Sequence, residues 1–334
     1  MSDQKEFFLE KLIPMLESVD LVSTKTSTGI KIFNERINSS CSLIFEKVNL
    51  KAIDGINITY FVKIYKDCRN LDERINNLTS FAKLNAYSSL LSFVKEDDTV
   101  SLVAKFTLYK DHTEEQIRFL YMPLTLVGIM QSFGLSKFVE ESKPNAFDMI
   151  NSPSIFERDE WFFGIPNDLA SDNVKNGAEQ FNAAEQIMEN NGIVCFSDEK
   201  GLTAEFPWEK DSPSVIPGLA SEDTNFNIKT SLFQIKANQT HPFYGNGLLV
   251  TLQLPFDIKA EVISSIVNSI NLWELRSADM TPFFGSWCTD KIFNSASYNL
   301  FIPSMYTNLI SIQTITGWMF SRHKQTKLFF RTML

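Results

Sequence analysis

The sequence predicts an α+β protein of two tandem modules, each an antiparallel sheet with helices packed on it. Three observations predict it. Apolar residues recur at helical spacing in some segments and alternate along others. The order helix, four strands, helix, two strands, helix is read over residues 4–135 and again over 178–325. Short stretches also recur: Thr28-Gly29-Ile30-Lys31-Ile32-Phe33 is echoed by Lys200-Gly201-Leu202-Thr203-Ala204-Glu205-Phe206, and Ser42-Leu43-Ile44-Phe45 by Ser231-Leu232-Phe233-Gln234. Repetition at so long a period marks a duplicated domain, not a solenoid. The 334 residues suit two or three domains of ordinary size.

The first module spans residues 1–141. Phe8, Leu12, Met15 and Leu16 share a helical face over 4–18, with Pro14 a kink. Val19–Val22, Gly29–Phe33, 41–50 and 56–65 read as strands, with Asp54-Gly55 as a turn. Residues 70–86 form an amphipathic helix capped by Asn70. Strands 89–95 and 100–109 flank Asp97-Asp98, and Thr113 with Gln116 makes a capping box for a helix over 113–133.

Residues 142–177 read as a linker whose Trp161-Phe162-Phe163 lies over the modules, because exposing it is costly. The second module spans 178–334. A helix at 178–190 stops at Asn191-Gly192, and strands follow at 193–196, 202–206, 230–237 and 247–256. Gly245-Asn246-Gly247 reads as a hairpin turn. A helix over 257–273 has Asp257 as N-cap and Ile258, Val262, Ile266 and Ile270 on one face, widened by Ile263, Val267 and Trp273. Strands 284–289 and 296–302 precede a helix over 307–323 capped by Thr307.

Composition narrows the function classes. A net charge of −9 and no long Lys/Arg run argue against direct nucleic-acid binding. The densest basic stretch, Arg322 to Arg331, suits a solvated helix end. Cys41, Cys68, Cys195 and Cys288 form no C-x-x-C pair and read as reduced and mostly buried. The N-terminus lacks a signal-peptide apolar region, and no apolar run approaches the roughly 20 residues that span a bilayer, so a cytoplasmic location is expected. The three histidines, His112, His241 and His323, form no helical ligand pair, and no P-loop, nucleophile elbow or zincin motif is present. No metal, cofactor or catalytic residue is therefore expected.

Leu202–Trp208 (LTAEFPW), Gly245–Leu249 (GNGLL), Gly285–Trp287 (GSW) and Phe301-Ile302-Pro303 before a final helix carry a resemblance. Together they resemble a family of uncharacterised bacterial proteins whose fold is similar to type III secretion chaperones and YbjN-like domains. The likeness covers 178–325. It extends to 4–135 through element order alone, since GNGLL, GSW and FIP are missing there. The resemblance implies non-enzymatic protein binding as a chaperone, adaptor or regulatory subunit, with the two copies forming a pseudo-dimer through their middle helices or adjacent strands. The partner would be another protein, held through an extended segment. The expected anchors are Phe243 and Tyr244 on a loop, Trp287 beside Gly285, and Pro303 and Tyr306 after the last strand. A small-ligand or stress sensor using the cleft between modules is the alternative, ahead of a cryptic enzyme.

Overall fold

A computed structural model describes residues 2–36, 38–48, 54–66, 81–97, 99–141, 174, 177–208, 230–255, 258–277, 281–289, 295–308 and 310–332. Helix α1 (Ser2–Glu17) contains Pro14 and buries Phe8, Leu12 and Leu16 on one face. Strands β1 (Val22–Lys25), β2 (Gly29–Asn34), β3 (Ser39–Lys47) and β4 (Gly55–Lys66) form a meander. Strands β5 (Ser92–Glu96) and β6 (Thr99–Tyr109) complete a six-stranded antiparallel sheet, ordered β1-β2-β3-β4-β6-β5. The Thr113–Gln116 capping box opens the helical run, which passes through a π turn at Ile117–Tyr121 into α2 (Met122–Glu141).

The second half has the same topology. Helix α3 (Gly177–Asn190) precedes β7 (Val194–Asp198), β8 (Gly201–Pro207), β9 (Thr230–His241) and β10 (Gly245–Gln253). Helix α4 (Ile263–Arg276), β11 (Ser286–Thr289), β12 (Ala296–Pro303) and α5 (Ile312–Thr332) follow. The sheet order is β7-β8-β9-β10-β12-β11, again with a single exchange at the end. The chain is therefore α+β with two six-stranded antiparallel sheets, consistent with two tandem modules. Helix α2 packs on β3, β4 and β6, while α3 packs on β7 and β8.

Two glycines fix the equivalence of the halves. A Cβ on Gly29 would overlap the Leu43 carbonyl, and one on Gly201 would overlap the Ile235 carbonyl. Gly29 thus matches Gly201, and Leu43 matches Ile235. Ser42–Phe45 consequently aligns with Gln234–Ala237, three residues beyond the expected Ser231–Gln234. The matched inward residues Leu43 and Ile235 decide the register here, not likeness of residue type along the strand.

Several expected boundaries move. The first strand begins at Val22 because Val19 and Asp20 close the end of α1. The β9–β10 turn is Pro242–Tyr244, with Gly245 at φ +73°, while Gly247 lies inside β10 where a Cβ would overlap the Ile302 carbonyl. Helix α4 starts at Ile263: the Lys259 carbonyl accepts from Val262 and Ile263, so a backbone turn does the work expected of an N-cap at Asp257, which lies outside the described residues. Thr307 Oγ1 donates to the Ser304 carbonyl and closes a 3₁₀ turn; Ser311 Oγ accepts from the Thr314 amide near the start of α5. Residues 70–80 and the Trp161–Phe163 stretch also lie outside the described residues. The helical run Glu114–Lys137 is long and apolar enough to cross a membrane, contrary to expectation, but 78% of its apolar window is buried inside the protein.

The modules meet at the β5 and β11 ends of their sheets. Asn85 binds both the amide and the carbonyl of Phe93 on β5, at 2.7 and 3.1 Å. Asn271 binds both backbone groups of Trp287 on β11, at 2.8 and 2.9 Å. These clamps make Phe93 equivalent to Trp287, and through the strand registers Lys105 equivalent to Phe301 and Ser89 to Phe283. Phe283 exchanges two backbone hydrogen bonds with Lys105, at 2.7 and 3.1 Å, and Ser89 Oγ donates to the Phe301 carbonyl at 2.7 Å. The two contacts thus join equivalent positions with their roles exchanged between the halves, the reciprocity of an isologous contact.

Candidate functional site

The expected anchors belong to the core. Tyr244 and Trp287 are fully buried, Phe243 is 4% exposed, Pro303 is buried and Tyr306 is half-buried. Aromatic side chains on a loop were expected to find little burial; His241 explains why they do. Its Nδ1 accepts the Phe243 and Tyr244 amides at 3.1 and 3.3 Å, and its ring lies 4.5 Å from Tyr244 and 4.7 Å from Phe301. With its amides satisfied, the turn folds inward. Burial pushes the Tyr306 hydroxyl up to about 12. Pro303 pairs with Gly247 at one end of β12, whereas Trp287 pairs with Tyr298 toward the other. The five residues therefore do not converge on one exposed edge.

Trp287 is held from all sides. Its indole donates to Glu274 Oε1 at 2.6 Å, and the other Glu274 oxygen accepts from Arg322 Nε at 2.8 Å. Arg322 also donates to the Pro282 carbonyl at 2.7 Å and lies over the Tyr298 ring at 3.9 Å. Both Glu274 oxygens are engaged, so this buried pair reads as a structural anchor.

The junction between modules is packed as well. Val94, Val103 and Phe283 form a buried cluster with Leu272 and Leu275 of α4 against it. The ammonium of Lys105, on β6, donates to the carbonyls of Glu274, Leu275 and Ser277 at 3.1, 2.8 and 2.6 Å. It thus caps the C-terminus of a helix in the other module, where the helix dipole is negative. Asn268 of α4 binds the amide and carbonyl of Lys95 at 2.8 and 2.9 Å, and Arg276 pairs with Glu96. These amide clamps occupy backbone groups of β5 that another strand would otherwise use.

The far edge of the second sheet is different. On β7 the side chains alternate: Cys195 and Ser197 turn toward α3, while Val194 and Phe196 are 71% and 65% exposed on the opposite face. No other large apolar side chain among the described residues is as exposed as these two. A groove of about 480 Å³ opens beside Phe196 at the hairpin end of the sheet, with Asp198, Lys200, Thr203 and Lys236 along it and the buried Leu202 and Ile235 beneath. It lies at the end of this sheet, not between the modules.

Helix α3 guards this edge. One Glu185 carboxylate oxygen accepts the Ser197 amide at 3.1 Å and the other accepts the Ser197 hydroxyl. Asn182 Oδ1 lies 2.9 Å from the same hydroxyl oxygen. Glu185, Glu189 and Cys195 bring potential ligand atoms within 4.8 Å of one another. Partial burial, then the two carboxylates, push the Cys195 thiol up, so it is protonated at neutral pH. Glu185 already serves Ser197 with both oxygens, which leaves a poor donor set for a metal. Sequence reasoning missed this edge; the alternation Val194-Cys195-Phe196-Ser197 was its available signal.

No known protein family, no curated protein and no solved structure matches this chain.

Proposed function

We propose that this protein is a non-enzymatic protein-binding module, a chaperone, adaptor or regulatory subunit, and that it holds an extended segment of its partner at the β7 edge. The observation that carries the reading is the exposure of Val194 and Phe196 on one face of an edge strand, with a groove opening beside Phe196. An exposed apolar edge strand is an aggregation hazard that folded proteins manage explicitly. Here it is guarded by a side-chain carboxylate that can move away, which suits regulated strand addition. The likeness to secretion chaperones drawn from the second-module motifs belongs to the same proposal.

The test is affinity capture with the full chain followed by mass spectrometry, run in parallel on Phe196→Ser, Val194→Ser and Tyr244→Ala. Proteins retained by the parent chain and lost from the two β7 variants, with melting temperature unchanged, support the reading. Capture that survives both β7 substitutions overturns it. Tyr244→Ala is expected to lower the melting temperature, since that ring is core.

A further inference from the structure

Resting on that reading, we infer that the segment added at β7 alternates apolar and basic residues, with its basic side chains toward α3 and its apolar ones over Val194 and Phe196. Side chains of a strand point alternately to opposite faces, so an added strand meets two different surfaces. On the outer face it meets Val194 and Phe196. On the helix side it meets Glu185 and Glu189, one turn apart on α3 and both beside Cys195. Glu189 is exposed and has no cationic partner among the described residues. Glu205, the cross-strand partner of Val194 on β8, is exposed on the same outer face as Val194, so it adds to the local negative field and not to the contacts on the α3 side. Cations stand at both ends of the edge: Lys200 and Lys236 line the groove at the hairpin end together with Asp198, and Lys327 of α5 donates to the Pro207 carbonyl at the other end at 3.1 Å, so the acidic surface is the α3 side of Cys195 and Ser197 between them. The whole chain carries −9, so long-range attraction also favours a basic partner.

The guard contact adds a mechanism. The Ser197 amide is needed by an incoming strand but is held by Glu185. A lysine or arginine on the helix-side face of the incoming segment draws the Glu185 carboxylate to itself and frees that amide for a ladder hydrogen bond. An acidic segment would repel Glu185 and Glu189 and leave the edge closed.

The experiment uses the full chain and labelled synthetic peptides of about ten residues, near the upper length of a natural strand. One alternates valine and lysine, one alternates valine and glutamate, and one holds the same valines and lysines in two blocks. Binding is read by fluorescence anisotropy. The alternating basic peptide is expected to bind at least about tenfold tighter than the other two. Phe196→Ser should weaken it about tenfold, as loss of an aromatic anchor does, and Glu189→Gln should weaken it severalfold, while Val22→Ser at the opposite end of the molecule leaves it unchanged. Equal binding of the block peptide shows attraction to net charge alone and overturns the inference. Preference for the acidic peptide, or insensitivity to Phe196→Ser and Glu189→Gln, overturns it too. If no peptide binds, the partner chemistry is wrong; the capture experiment with the β7 variants then decides separately whether the protein-binding reading stands.

Discussion

The two modules share a strand order but finish in different free edges. In the first, β1 is four residues long, Val22-Ser23-Thr24-Lys25, mostly polar and closed by a lysine. Short, charged edges discourage strand addition. In the second, β7 offers Val194 and Phe196 on its open face and relies on Glu185 to cover a backbone amide. The inner edges, β5 and β11, are treated alike: each has an asparagine clamped onto both backbone groups of one residue. The difference teaches that the two halves close the edges at which they meet in the same way but end in unlike outer edges, one short and polar and one with exposed apolar side chains.

The largest way to break this comparison is at the buried ion pair that, among the described residues, only the second module has. Arg322→Met leaves the Glu274 carboxylate buried without its cation and should cost about 3–5 kcal/mol in urea unfolding. A loss below about 1 kcal/mol would mean that the pair is dispensable and that the second module's core stands on apolar packing. Next is the junction. Lys105→Met strips the carbonyls of Glu274, Leu275 and Ser277 at the end of α4 of their donor and should cost on the order of 3 kcal/mol, with unfolding resolved into two transitions. One undivided transition would place the coupling in the Val94, Val103 and Phe283 cluster instead.

The two asparagine clamps sharpen the symmetry. Asn85→Ala and Asn271→Ala each orphan a buried amide and carbonyl and should each cost about 1–3 kcal/mol, by similar amounts. Clearly unequal losses would show that the two-fold relation is geometric but not energetic. A pH comparison is smaller. Burial, opposed by the weaker pull of Asp111, lowers the His112 imidazole below its usual value of about 6.5. The unfolded chain therefore takes up its proton first as pH falls, and stability contributed by neutral His112 is present above about pH 6.5 and lost below it. Melting temperatures at about pH 7.5 and about pH 5.5 should differ less in His112→Gln than in the parent chain; an unchanged difference would show that His112 contributes nothing to it. The smallest expected effect is Phe196→Ser, within about 0.5 kcal/mol, because the ring is mostly in water. A larger loss would make β7 part of the core.

Much of the fold was legible because periodicity reports which face of a segment is buried. The helix at 178–190, the capping box at Thr113 and the duplicated element order all follow from local pattern. The starts of α4 and α5 were not: a backbone turn at Lys259 replaces the side-chain cap expected for α4, and Thr307 closes a 3₁₀ turn on Ser304 so that the cap of α5 falls to Ser311. The site was least legible. Phe243, Tyr244 and Trp287 look like surface anchors by residue type, yet His241 and Glu274 satisfy the polar groups around them and allow them inside.

By itself the sequence determined the class, the two-fold repetition and the acidic charge, since these depend on composition and on spacing along the chain. Only the tertiary structure decided which of four similar sheet edges would be closed and which left open. Closure depends on residues distant in sequence, such as Asn268 reaching Lys95 and Lys105 reaching α4, and only folding brings them within hydrogen-bonding distance.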